Sequence, residues 1–408
     1  MNPSLQPLIN AITNGQQTMI DQLHDWCEIN SGTTHLAGLA QMHQCLQQAY
    51  TPLADEIQTI TSPSIPTVDM TGDTILQRYG DAIFIRKRPE LKRRILLSGH
   101  MDTVYGINHA FQKLTYINDN HLNGPGVADM KGGLVVMLHA LQAFETFDNC
   151  KSMGWDVFIN ADEEIGSLAS GSQLHAMASA YQAALVYEPA MTASGTLAKN
   201  RKGSGKITLV ATGKAAHAGR AFDEGRNAIC YLAEIITAVH ALNGKRAGVT
   251  INVGKIAGGE ALNVVPDKAV AKLDIRISQP DDEAWVRHEL DLILREMKRA
   301  DYALTIHGSF DRPVKRVNSA TQRLFERVQC AGKLLGLTLD WQDSGGCCDG
   351  NNLSVYGLPV IDTLGVRGGN IHSSDEYILI DSLIERASLS ALLLADLAQG
   401  GLEELSAS

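Results

Sequence analysis

Five short segments of the sequence carry the residue types that could do chemistry. Imidazole nitrogens and carboxylate oxygens together suit a divalent zinc site better than a thiolate set would. All five follow predicted strand ends, where open α/β sheets form their ligand crevice, so they predict one shared metal site. The segments are S-G-H-M-D at 98–102, G-P-G-V-A-D-M-K-G-G at 124–133, N-A-D-E-E-I-G-S at 160–167, Y-E-P at 187–189 and G-G-N-I-H-S-S-D-E at 368–376.

The spacing of residues within the segments suggests that they have different chemical roles. His100 and Asp102 share one face of a strand, so one can bind a metal while the other holds the second imidazole nitrogen. Asp129 lies in a Gly-rich turn whose spacing matches neither common phosphate-binding motif, and its charge suits a cation. Glu163 and Glu164 point apart in an extended segment, so one can ligate while the other accepts a proton. A solvated acidic turn is the alternative for that pair.

The elements that position these segments read as an α/β layer. Apolar periodicity predicts a helix over 5–29, and short apolar strands alternate with helices through most of the chain. Residues 201–313 instead follow the order β-α-β-β-α-β of a ferredoxin-like sandwich. We therefore predict a discontinuous α/β domain with a mostly parallel sheet, 1–200 and 314–408, which carries all five segments, and an inserted α+β domain, 201–313. Residues 400–408 are expected to fray.

Composition excludes several classes of protein. The 408 residues carry 35 Lys and Arg against 45 Asp and Glu, a net charge of −10, which argues against nucleic acid or a membrane surface as partner. Seven irregularly spaced Cys favour reduced thiols and a cytoplasmic location over a disulfide scaffold. We see no secretory signal and no apolar run that would span a bilayer.

Taken in order, the five segments resemble the co-catalytic zinc aminoacylase/carboxypeptidase family, and most closely its glutamate carboxypeptidase-like branch. The motifs extend over nearly the whole chain, and five in the right order are far more specific than any one alone. The resemblance implies a zinc-exopeptidase-like catalytic domain and an inserted lid domain through which two subunits form a homodimer.

The resemblance also implies a role for each matching residue. Glu163 would be the general base, and Asp102 would orient His100. Asp129 would bridge two zinc ions per subunit, with Co²⁺ or Mn²⁺ as alternatives, and could do so through a cis peptide to Met130. The metal ligands would be His100 and Glu188 at one ion, Glu164 and His372 at the other, and Asp129 between them.

Three lid residues match substrate-contacting positions of the family. His217 would polarise the substrate carbonyl from the opposing subunit, Asn263 would contact substrate, and Arg312 would grip a substrate carboxylate. One departure concerns the Gly-rich segment after residue 343, where Cys347 and Cys348 replace smaller residues. We expect these thiols to pack rather than to bind metal or respond to redox state, and to affect the choice of substrate.

The predicted reaction is hydrolysis of an amide bond next to a free carboxylate, in a small peptide or an N-acyl amino acid. Three rival hypotheses stay open. The first is an N-deacylase of an amino-acid biosynthetic intermediate, and the second is a catalytically silent binding protein on the same fold. The third, a nucleotide-dependent oxidoreductase, lacks its dinucleotide-binding fingerprint in the sequence.

Overall fold

The computed structural model describes residues 5–405. Its α-helices, in chain order, are α1 (Gln6–Asn14), α2 (Gln16–Glu28), α3 (Leu36–Tyr50), α4 (Gly133–Phe144), α5 (Gly171–Met177), α6 (Ala228–His240), α7 (Asp281–Glu296), α8 (Ser319–Leu334), α9 (Asp349–Leu353), α10 (Asp381–Asp396) and α11 (Leu402–Glu404). None of the helices in this part of the chain is both long and apolar enough to cross a membrane.

The strands of the first half are β1 (Glu56–Ile60), β2 (Ile65–Val68), β3 (Thr74–Gln77), β4 (Ala82–Lys87), β5 (Arg94–His100), β6 (Thr115–Asn118), β7 (His121–Asn123), β8 (Gly154–Asn160), β9 (Ala184–Val186) and β10 (Leu197–Arg201). Those of the second half are β11 (Gly203–Thr212), β12 (Ala216–His217), β13 (Thr250–Gly258), β14 (Val264–Val265), β15 (Lys268–Ile277), β16 (Ala303–Arg312), β17 (Trp341–Ser344), β18 (Val360–Ile361), β19 (Gly368–Gly369) and β20 (Tyr377–Leu379).

The chain divides into two compact units. The first comprises Met1–Pro63, Arg78–Arg201 and Lys315–Ser408, and the second comprises Ser64–Gln77 and Lys202–Val314. We call them the catalytic unit and the inserted unit. The hairpin of β2 and β3 groups with the inserted unit, where Val68 packs against Val210 and Val270.

A six-stranded sheet is the centre of the catalytic unit. Its strand order is β1-β4-β8-β5-β9-β18. Strands β8, β5, β9 and β18 are parallel to one another, and β4 is antiparallel to both of its neighbours, β8 and the edge strand β1. Every residue of β5 and β8 is buried, as expected for central strands covered by helices on both faces. The mostly parallel α/β sheet that the sequence predicts is therefore confirmed.

A second, antiparallel sheet in this unit was not predicted. Its order is β19-β20-β7-β6, and β7 pairs with β20 so that Asn123 lies opposite Tyr377. Each of these strands is at most four residues long. Such short runs give too little periodicity to recognise in a sequence.

The inserted unit has the predicted ferredoxin-like order. Its strands lie as β13-β15-β11-β16, and each neighbouring pair is antiparallel. Helices α6 and α7 belong to the same hydrophobic core. That core is formed by apolar side chains such as Leu209, Leu232, Ile235, Ile275 and Val286.

Two sequence predictions about elements were wrong. The helix expected over 5–29 is two helices, because the chain breaks at Gly15, the residue of lowest helix propensity after proline. Residues 400–405 were expected to fray, yet Leu402 and Leu405 are buried in the core of the catalytic unit. The remaining residues of that prediction, 406–408, lie outside the described range.

Candidate metal centre

Three of the predicted ligands lie at one edge of the main sheet. His100 ends β5, Glu164 follows β8, and Glu188 follows β9. The three strands are parallel neighbours, and their register sets His100 opposite Asn160. Their carboxyl ends therefore meet at one place, as the sequence argument required.

The other two ligands reach this edge from the small sheet, which differs from the expectation that all five follow strands of one open sheet. Asp129 lies in the turn between β7 and α4, and His372 lies in the connection between β19 and β20. Pairing of β7 with β20 brings the two connections together. The peptide bond from Asp129 to Met130 is cis, as the resemblance suggested.

Asp129 stands at the centre of the cluster. Its Oδ1 is 3.2 Å from Nε2 of His100, and its Oδ2 is 3.2 Å from Nε2 of His372. Glu188 Oε1 lies 3.8 Å from Nε2 of His100, and Glu164 Oε2 lies 3.1 Å from Nε2 of His372. One carboxylate thus faces two imidazole–carboxylate pairs, one with each oxygen.

The donor set fits divalent cations. Among the described residues, Glu164 Oε1 and Glu188 Oε1 are buried without a hydrogen-bond partner, and buried carboxylate oxygens are costly unless a cation compensates them. The ligand atoms of His100, Asp129 and Glu164 lie within 4.8 Å of one another, as do those of His100, Glu163 and Glu188. Two imidazoles with several carboxylates form the nitrogen and oxygen set that zinc accepts.

The shifted pKa values in this cluster also indicate that a positive charge is favoured at the site. Burial raises the pKa of Glu188 to about 7, partly opposed by His100, and burial with the nearby Asp129 raises the pKa of Glu164 well above its ordinary value. Burial would lower the pKa of His100, but the carboxylates around it raise that pKa well above its ordinary value. Hydrogen bonds that His372 donates to the Asp129 and Glu164 carboxylates raise the pKa of His372 to about 11. These shifts have one physical cause, an excess of buried negative charge that divalent cations would compensate.

Asp102 positions both His100 and the acidic segment, residues 160–167, which carries Glu163 and Glu164. Nδ1 of His100 lies 2.9 Å from the Asp102 carbonyl oxygen and 3.4 Å from its carboxylate, which leaves Nε2 turned toward Asp129. The Asp102 carboxylate accepts hydrogen bonds from the backbone N–H groups of Glu163 and Glu164, at 3.1 and 3.3 Å. It also accepts one from Thr33 Oγ1 at 2.7 Å, a contact that the sequence analysis missed.

Glu376 is a second residue that the sequence analysis missed. Its buried Oε1 accepts the backbone N–H groups of Ala128 and Asp129, at 2.9 and 3.0 Å, and its Oε2 lies 2.6 Å from the Tyr105 hydroxyl. The same hydroxyl lies 2.8 Å from the carbonyl oxygen of Ser373, next to His372. Glu376 therefore links the two turns that carry Asp129 and His372. The available signal was its place at the end of the fifth segment.

A cavity of about 340 Å³ opens on the cluster, and Glu163, Cys347 and Cys348 are among the residues that line it. Cys348 is buried, its sulfur accepts the backbone N–H of Gly350 at 3.3 Å, and burial raises its thiol pKa well above the ordinary value. Burial and a raised pKa disfavour the thiolate that metal binding and redox chemistry require, which supports the predicted packing role for Cys348.

The three predicted lid residues all lie in the inserted unit. His217 is exposed on β12, opposite Val264 of β14, and the N–H of Ala218 donates to the carbonyl oxygen of Asn263 at 2.9 Å. His217 and Asn263 are thus neighbours on the surface of this unit. Arg312 ends β16 opposite Ser204, and only 4% of it is exposed.

Comparison with known proteins agrees with this picture. Residues 200–301 match a family model described as a peptidase dimerisation domain. Carboxypeptidase G2 from Pseudomonas sp. (strain RS-16) is 26% identical over 396 residues, which cover 96% of this chain and 92% of that protein. A putative succinyl-diaminopimelate desuccinylase from Mycobacterium tuberculosis is 32% identical over 332 residues, covering 76% and 85%.

A solved structure shares the fold. The M20 family metallo-carboxypeptidase Sso-CP2 from Sulfolobus solfataricus aligns with a TM-score of 0.73 at 17% identity, covering 93% of this chain and 99% of that one. An α/β unit with an imidazole–carboxylate cluster at its strand ends and an inserted α+β unit defines a class of metal-dependent hydrolases. Within that class, the chain belongs to the M20 peptidase family.

Proposed function

We propose that the protein is a carboxypeptidase-like amidohydrolase that cleaves an amide bond next to a free carboxylate. The observation that carries this proposal is the position of Asp129 between two imidazole–carboxylate pairs, beside a cavity that Glu163 also lines. His100 with Glu188 and His372 with Glu164 would each hold one cation, and Asp129 would bridge the two. Zinc is the proposed metal, with Co²⁺ or Mn²⁺ as substitutes.

The proposed mechanism assigns one proton path. Divalent cations at this site would polarise the scissile carbonyl and lower the pKa of the attacking water. Glu163 takes a proton from that water, whose oxygen adds to the carbonyl carbon. Glu163 then gives the proton to the amide nitrogen as the C–N bond breaks, which releases an amine and a carboxylic acid. The acid ionises by passing the water's second proton to the amine or to solvent. Asp102 keeps the Glu163 backbone and the His100 ring in place meanwhile.

The inserted unit would complete the active enzyme as a homodimer. The match of residues 200–301 to a peptidase dimerisation domain supports this arrangement. In it, His217 and Asn263 would approach substrate from the opposing subunit, and Arg312 would bind a substrate carboxylate, as the resemblance implies. Analytical ultracentrifugation tests the assembly, and a monomer at micromolar concentration would contradict it.

An N-deacylase is the second candidate. The relative with 32% identity is named as a putative succinyl-diaminopimelate desuccinylase, whereas the relative that spans 96% of the chain is named carboxypeptidase G2. A panel that compares dipeptides with N-acyl amino acids at saturating Zn²⁺ separates the two. A purified protein that holds no divalent metal and cleaves no member of the panel would instead favour a silent binding protein.

A further inference from the structure

The cavity beside the metal cluster has a cationic group in its wall that the sequence analysis did not single out. Arg201, the last residue of β10, lines this cavity together with Glu163, Glu188 and Cys347. Among the described residues that line it, Arg201 is the only Arg or Lys. The side chain is 7% exposed, so little water shields its charge.

One edge of the Arg201 guanidinium is hydrogen-bonded to the buried carboxylate of Asp362. Its Nε and Nη2 donate to Oδ2 and Oδ1 of Asp362, both at 3.0 Å. Lys315 Nζ donates to the same carboxylate at 2.7 Å. Two cations therefore share one anion, and this buried group keeps one net positive charge.

The opposite edge of the guanidinium is loosely bonded. Nη1 of Arg201 lies 3.4 Å from Ser344 Oγ and 3.3 Å from the carbonyl oxygen of Gly346, and both of these residues line the cavity. These distances exceed the usual N–H···O range of about 2.7–3.2 Å. An anionic oxygen would form a shorter and stronger charge-assisted bond, near 2.7–2.9 Å. Nη1 is thus an edge that an incoming carboxylate can take over.

Charge balance in the cavity favours an anion. The other titratable side chains in its lining are His372, which would be neutral as a metal ligand, and four carboxylates, Asp129, Glu163, Glu164 and Glu188. Two divalent cations at the proposed site would neutralise the four carboxylates. The positive charge shared by Arg201, Lys315 and Asp362 would then remain without a counter-ion until substrate arrives.

We propose that Arg201 is a specificity-determining residue that binds a substrate carboxylate through Nη1, inside the catalytic unit. This inference rests on the proposed function and extends it, because the resemblance had assigned carboxylate binding to Arg312 of the inserted unit. The carboxylate can come from the amino acid that is released or from the acyl side of the scissile bond. Both sources present the same chemistry to the guanidinium.

Ligand binding to the zinc-loaded Glu163→Gln protein tests the proposal without turnover. The probes are N-glutaryl-L-alanine and its two mono-carboxamides, one amidated on the glutaryl end and one on the alanine end, measured by calorimetry. One carboxamide should bind about 10- to 100-fold more weakly than the parent, the size of one charge-assisted hydrogen bond. The proposed contact of Arg312 would weaken binding of the other carboxamide, so the source is the carboxylate whose loss of affinity disappears when Arg201 is replaced.

Arg201→Gln, added to the same background, should make the parent and that carboxamide bind equally to within about threefold. Folding should survive, because Lys315 still neutralises Asp362, and Arg201→Lys should keep part of the discrimination. The matched control is Lys199→Gln, which removes a charge from the same strand outside the cavity lining and should keep the full discrimination.

Three results would overturn the proposal: discrimination that persists in Arg201→Gln, its loss in the Lys199→Gln control, or no measurable binding of the dicarboxylate parent. The proposed function is judged separately, by turnover of the wild-type enzyme on the wider amide panel. The two ideas can therefore fail independently.

Discussion

Neighbouring residues in the acidic segment are not interchangeable. Glu164 Oε2 contacts His372 at 3.1 Å, whereas Glu163 lies within ligand distance of His100 and Glu188. Distance alone does not separate a base from a ligand here. Glu164 is proposed as the ligand because it pairs with the imidazole of His372, which also faces Oδ2 of Asp129.

We expect Glu163→Gln to lower kcat by about 10²–10⁴-fold while two metal ions per subunit are retained, because a general base is lost and no ligand is. Metal content by elemental analysis and steady-state rates check this. The matched control is Glu164→Gln, which should lose metal at the His372 side. Equal metal loss in both variants would show that Glu163 is a ligand instead.

Glu376 shows what a sequence can and cannot give at the scale of single residues. The candidate ligands and the candidate base could be named from the sequence, because they lie in segments with a recognisable pattern. Glu376 and Thr33 were not, since Glu376 acts on backbone N–H groups and Thr33 on a carboxylate, in both cases far away along the chain. Nothing in a local pattern reports such contacts.

Glu376→Ala should weaken metal binding at the Asp129 and His372 pair, because two buried N–H groups lose their acceptor at a cost of about 1–3 kcal/mol each. Glu376→Gln keeps an acceptor oxygen and should retain most of the affinity. Competition with a fluorescent zinc chelator measures both. If the Ala variant binds metal like the wild type, Glu376 does not position these ligands.

Longer elements were more predictable than short ones. The central strands and helices of both units have strong apolar patterns, and the ferredoxin-like order followed from them. The sheet of β6, β7, β19 and β20 was missed, although it positions Asp129 and His372, because its strands are too short to carry a period. The break at Gly15 follows from the low helix propensity of glycine, which was overlooked, whereas the buried end at Leu405 depends on tertiary packing that no local window contains.

Packing of α4 on α2 should make the protein sensitive to acid. His139 of α4 is 9% exposed and contacts Gln22 of α2 at 3.0 Å, and burial lowers its pKa from 6.5 to about 4. Above pH 6.5 the His139 imidazole is neutral in both the folded and the unfolded chain, so its titration does not change the free energy of unfolding. Below that pH the unfolded chain binds a proton that the folded chain rejects, which costs about 2 kcal/mol at pH 5.

When the pH falls from 7 to 5, the free energy of unfolding should therefore decrease less for His139→Gln than for the wild type. The difference between the two decreases should be roughly 2 kcal/mol, measured by urea unfolding. The comparison is made on the metal-free form of both proteins, so that proton release by the metal ligands does not enter. Parallel stability curves for the two proteins across this pH range would contradict a neutral, buried His139.

At the scale of the whole molecule, the proposed chemistry and the proposed assembly belong to different units. All five proposed metal ligands lie in the catalytic unit, whereas the match to a dimerisation domain lies almost wholly in the inserted unit. The inserted unit has its own hydrophobic core. Metal should therefore stabilise one unit and leave the other unchanged.

Removal of metal by a chelator should lower the unfolding temperature of the catalytic unit alone. A bound cation at about 1,000 times its Kd adds about 4 kcal/mol to stability, and without it the buried acids Asp129, Glu164 and Glu188 face one another uncompensated. Differential scanning calorimetry should show one transition that moves with zinc and one that does not. A single transition that moves as a whole would mean that the two units unfold together, and metal would then stabilise the inserted unit as much as its own site.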